Sequence, residues 1–134
     1  MNSSTTSKII SYDDRASVEE VKDIYNKKYN LDLKTTEKYC PFDMIDKDKK
    51  IVIEVKHRTC SSTTYATSIM PNNKFIEGRD YIRRGYTVLF VVKFKDGIFE
   101  YRYNMEDLHT IRDIENHQNG RQYVFIDMKK FKKL

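Results

Sequence analysis

Apolar residues recur at two different periods along this chain, and the changes of period mark its elements. In "SVEEVKDIYNKKY", from Ser17, the residues Val18, Val21, Tyr25 and Tyr29 recur at helical spacing with Ile24 beside them, which predicts a helix with one buried stripe. Ser17 with Glu20 three residues on forms a capping-box pattern, so the helix is expected to start at Ser17. The Ser/Thr-rich stretch Met1 to Lys8 is expected to be mobile.

Shorter periods follow. "LDLKTT" predicts a short strand, and "KYCPFDMID" and "KKIVIEVKH" predict two strands joined by a charged tip from Asp46 to Lys50. "RTCSSTTYATSIM" reads as a polar loop holding a short strand, and "PNNKFIEGRDYIRRG" as a helix with Pro71 near its first position and Gly85 at its end, weakened by Gly78. "YTVLFVVKF" is apolar at both parities, as a central strand covered on both faces would be. After the turn "KDG", "IFEYRY" alternates and reads as half-exposed. A short helix is expected near Met105 to Ile114, then a last strand, "QYVFIDM", and the basic tail "KKFKKL". This order predicts an α/β (α+β) sandwich, a mixed β-sheet flanked by helices. With 134 residues, no repeat and no linker, the whole chain is expected to form one domain.

Composition narrows the partners. At 39% apolar and 34% charged residues the chain reads as soluble and highly charged, and its longest apolar stretch, Val88 to Val92, is strand-sized, so no membrane partner is expected. "MNSSTTSK" lacks the apolar segment of a secretory signal, and Cys40 and Cys60 have no metal-site or scaffold spacing. An intracellular, reducing location is expected, whether cytoplasm, nucleus or a viral context. The formal charge of +5 favours a polyanionic partner.

The candidate chemistry lies at the end of the strand "KKIVIEVKH". Side chains two apart share a face, so Glu54 and Lys56 are aimed together off a strand otherwise suited to burial. A hairpin centred between Asp48 and Lys49 sets Asp46 opposite Ile51 and Asp43 opposite Glu54. Two carboxylates placed about 5 Å apart repel unless a cation lies between them. Mg²⁺ suits one or two carboxylates with waters and phosphate oxygens. Lys56 would then orient or deprotonate a water, or neutralise developing phosphate charge, and the parts fit metal-assisted phosphodiester hydrolysis. The plain alternative is a surface salt bridge between Glu54 and Lys56.

Pro41-Phe42-Asp43 followed by Glu54-Val55-Lys56 resembles the motif of the PD-(D/E)XK nuclease superfamily, the group of restriction endonucleases and Holliday-junction resolvases. Phe42 departs from the motif by standing between Pro41 and Asp43, and the resemblance spans Ser17 to Phe94. It implies a restriction-endonuclease-like core, αβββαβ, and a Mg²⁺- or Mn²⁺-dependent endonuclease. Asp43 and Glu54 would bind the metal through their side chains and Val55 through its carbonyl, with Lys56 acting on the attacking water. Many members add an acid from the first helix, for which Glu20 is the candidate, with Glu19 and Asp23 behind it.

Around that centre, His57 and Arg58 are candidates to grip a phosphate, and Thr63, Thr64 and Tyr65 to donate hydroxyl hydrogen bonds to a nucleic-acid backbone. Lys74 stands near the start of the second helix, where the helix dipole also favours an anion, and the resemblance implies that it faces the substrate. DNA is the expected partner, branched or structured DNA included, with RNA left open, and a homodimer would let one small domain meet two strands. The competing expectation is a non-catalytic nucleic-acid-binding module on the same fold. His109 and His117 have no ligand spacing and read as surface residues.

Overall fold

The computed structural model describes residues 3–37, 39–113 and 122–134. In chain order these residues form α1 (Ser3–Tyr29), β1 (Lys34–Thr35), β2 (Met44–Asp46), β3 (Ile51–His57), β4 (Thr67–Pro71), α2 (Asn72–Arg83), β5 (Thr87–Phe94), β6 (Gly97–Arg102), β7 (Thr110–Asp113), β8 (Gln122–Asp127) and β9 (Lys132–Lys133). The main sheet runs β1-β2-β3-β5-β6-β9, and a smaller one runs β4-β8-β7. β3 and β5 pair in parallel while every other pair is antiparallel, so the main sheet is mixed.

The apolar run in β5 is covered on both faces, and its alternation sorts the two cores. Leu89 and Val91, with Ile53 and Val55 of β3, pack beneath Val18, Val21 and Tyr25 of α1. On the opposite face Val52, Val88, Phe90 and Val92 pack with Phe42, with Phe75 of α2 and with Met70, Val124 and Ile126 of the smaller sheet. Phe75 stacks on Phe90 with ring centroids 4.8 Å apart. Gly78 has a packing reason: a Cβ there would meet the Tyr103 ring at 3.1 Å, so the helix accepts its weaker propensity in exchange for close approach.

Several expectations are corrected. α1 begins at Ser3, inside the stretch expected to be mobile, and Ser17 is an interior helical residue, only 2% exposed. The capping-box reading fails because Ser17 lies inside the helix, and the stripe also ends early, since Tyr29 is 47% exposed. The short helix expected from Met105 is replaced by a turn and β7, which pairs with β8. Polar contacts compete with a helix there: Tyr101 donates to Asp107 at 2.7 Å, and its hydroxyl lies 3.1 Å from His109 Nε2. His109 is therefore no surface bystander; it packs edge-on to Phe75 at 5.2 Å, and burial lowers its pKa. Ile114 and His117 lie outside the described residues. No described helix is long and apolar enough to cross a membrane.

Candidate active site

The hairpin β2–β3 has the expected register, with Asp46 opposite Ile51 and Met44 opposite Ile53. Asp43 then leaves the ladder. Its N–H donates to the Ile53 carbonyl at 3.0 Å, and its Oδ2 accepts the Val55 N–H at 2.7 Å. A side-chain carboxylate thus takes the position of a backbone acceptor and caps the open end of the ladder. The N–H and C=O of one strand residue point to the same edge, so the Val55 carbonyl also faces the side where β2 has ended.

Phe42, the residue that interrupts the motif, anchors this segment. It is 1% exposed and meets Tyr81 edge-on at 5.4 Å and Phe90 at 6.3 Å. Thr36 holds the same segment from the side, donating its hydroxyl to the Phe42 carbonyl and its N–H to the Asp43 carbonyl.

Glu54 shares the parity of Val52, so it points to the α2 side of the sheet and is 3% exposed. The Lys56 ammonium lies 3.4 Å from Oε2, and the Lys74 ammonium 3.5 Å from Oε1. The second contact is attraction without hydrogen-bond geometry, because Oε1 is buried with no hydrogen-bond donor among the described residues. Burial, then the charge of Asp43, raises the Glu54 pKa to about 7, against the opposing pull of Lys74 and Lys56.

Lys74, expected to face the substrate, joins this cluster. It bonds the Pro41 carbonyl, faces Glu54 and lies 6.0 Å from the Phe42 ring centroid. Its place in the first turn of α2 was readable; its pairing with Glu54 depends on how α2 packs across the sheet.

Glu20 is not brought to the pair. It lies on α1, which covers the opposite face, and binds Lys93 at 2.5 Å; Lys93 has the parity of Leu89 and Val91. His57 ends β3 opposite Lys93, and Arg58 continues the ladder through an N–H bond to the Lys93 carbonyl at 2.9 Å. Thr63 and Thr64 are exposed on a loop moored to the β5–β6 turn, where Ser62 bonds Asp96 through its N–H at 2.8 Å and its hydroxyl at 2.6 Å.

Among the described residues no group of three His, Cys, Asp or Glu side chains forms a metal cage. The donors present fit a hard divalent cation nonetheless: a buried carboxylate oxygen without a donor, a second carboxylate whose charge it feels, and a strand carbonyl on the same open edge. No family model matches the chain, and comparison with curated proteins and with solved structures finds no match.

Proposed function

We propose that this protein is a Mg²⁺- or Mn²⁺-dependent nuclease that hydrolyses phosphodiester bonds in DNA at the cluster of Asp43, Glu54 and Lys56. The observation that carries this reading is the buried Glu54 Oε1, which has no hydrogen-bond donor among the described residues and lies close enough to Asp43 for their charges to interact. Burying such an oxygen is costly, and the cost is understandable where a ligand completes it. A bound divalent ion would supply Lewis-acid polarisation and an acidified water.

The chain's own groups do the rest. Asp43 and Glu54 are held in place, Asp43 tied to the Val55 N–H and Glu54 locked by burial, and a bound cation would favour the ionised form of Glu54. The Lys56 ammonium, 22% exposed, reaches the rim, where it can orient a water and offset charge growing on a phosphate. Phe42 and Thr36 fix the backbone beneath them. The resemblance to the PD-(D/E)XK motif supports the same roles and suggests endonuclease action, with a homodimer meeting two strands.

A second reading has its own support. Lys56 and Lys74 both pair with Glu54 without any metal, as a non-catalytic nucleic-acid-binding module would require. The two separate on a labelled panel of linear duplex, four-way junction, single-stranded DNA and RNA, incubated with Mg²⁺, Mn²⁺ or EDTA. Cleavage with either metal and none in EDTA is the expected result. Salt-sensitive binding without cleavage, under all three conditions, would leave only the binding module.

Glu20→Gln is expected to leave the cleavage rate within about twofold, since Glu20 faces Lys93 across the sheet from Glu54. A loss as large as that of Glu54→Gln in the same assay would instead place Glu20 in the reaction.

A further inference from the structure

Where β3 and β5 end, the two sheets part around a cavity of about 350 Å³, at the small end of the range for ligand pockets. Cys60, Tyr65, Phe94, Phe125 and Met128 line it, and Arg58 stands on one side. Phe94 belongs to the core face that Glu54 shares, so the cavity opens on the same side of the main sheet as the carboxylate cluster. Arg58 continues the β3 ladder two residues beyond Lys56, which places it about 7 Å farther along the strand direction. Its guanidinium makes two long bonds, both at 3.4 Å, to the His57 and Ile69 carbonyls, and these aim a group with five donors along the cavity's edge.

Three features together describe an occupant. Aromatic walls accept the flat face of a base. A guanidinium at the mouth suits the neighbouring phosphate. Tyr65, 67% exposed at the rim, offers a ring that solvent alone would not favour. A base stacked inside a duplex cannot enter such a recess, whereas a splayed one can.

We infer that this cavity receives one unstacked nucleobase of the substrate strand, next to a phosphate held between Lys56 and Arg58, and that the substrate is therefore single-stranded or locally unpaired. The inference rests on the nuclease reading for where the phosphate lies. Its test uses binding, so the two can fail separately.

In EDTA, Tyr65→Ala is expected to weaken binding of a fluorescein-labelled oligothymidylate about fivefold to tenfold, and binding of a blunt duplex of equal length hardly at all. Tyr65 is exposed, so its loss does not threaten the fold. The chain's two cysteines are Cys40 and Cys60, so in Cys40→Ser protein the rate of N-ethylmaleimide alkylation reports Cys60 alone. Oligothymidylate is expected to slow that rate severalfold, and an abasic strand of the same length to leave it unchanged. Equal protection by the abasic strand, equal weakening of both ligands in Tyr65→Ala, or no binding of oligothymidylate would each overturn the inference. Base-dependent protection without metal-dependent cleavage would sustain the pocket and overturn the nuclease. Cleavage of paired duplex without protection of Cys60 would do the reverse.

Discussion

Glu54→Gln is expected to lower single-turnover DNA cleavage in Mg²⁺ by about three orders of magnitude or more, with the fold intact. The substitution keeps the shape of a side chain that is 3% exposed and removes its charge from the centre of the cluster. Among the described residues Oε1 has no hydrogen-bond donor, so no backbone contact to it is lost. Asp43→Asn is expected to fall by a similar factor for a different reason. An amide oxygen still accepts the Val55 N–H that Asp43 Oδ2 accepts at 2.7 Å, so the end of the hairpin stays capped while the second negative charge disappears. Circular dichroism and rapid-quench cleavage on the same samples check both halves. Either variant keeping a tenth of the wild-type rate would remove that carboxylate from the reaction.

How much of this site was legible beforehand depended on the range of the interactions. The β2–β3 register could be read from the charged tip and from strand alternation, both local, and the pairing of Asp46 with Ile51 follows them. The departure of Asp43 from the ladder could not, because it is set by one side-chain bond to Val55 and by Phe42 entering a core built from β5 and α2. The start of α1 is not legible because a serine followed by a glutamate three residues later looks alike at a helix start and within a helix; Ser17 is a buried interior residue of the helix, which no sequence window reveals. For Lys74, the helix start and the resemblance to the nuclease motif both point toward a substrate, but neither specifies its protein partners. Tertiary packing supplies them, setting Lys74 against Glu54 and the Pro41 carbonyl. Glu20 shows the reverse limit. Its helical position was right, but the parity of Lys93 decides which sheet face it serves.

The same carboxylate should weaken the fold that carries it. Glu54 has a pKa of about 7 against 4.5 unperturbed, raised by burial and by Asp43. The folded state therefore holds its proton more tightly than the unfolded chain, and between those two values it binds more protons. Stability from this group falls as pH rises through that window, and above it the full cost applies, about 3 kcal/mol. That balance already includes the attraction of Lys56 and Lys74, which protonation gives up. Glu54→Gln resembles the protonated form at every pH, so it should melt about 10 °C above wild type at pH 8 in EDTA and converge with it near pH 4.5. Thermal melts at half-unit pH steps measure this directly, and a gap that stays constant from pH 5 to pH 8 would refute the charge-burial account. Adding Mg²⁺ at pH 8 should narrow the gap from the wild-type side, because an ion that binds only the folded state stabilises it by mass action. The glutamine variant, lacking the carboxylate, should melt at the same temperature with and without the ion. A side chain that destabilises the empty protein and is repaid by its ligand is the stability signature expected of a functional group, as distinct from a structural ion pair.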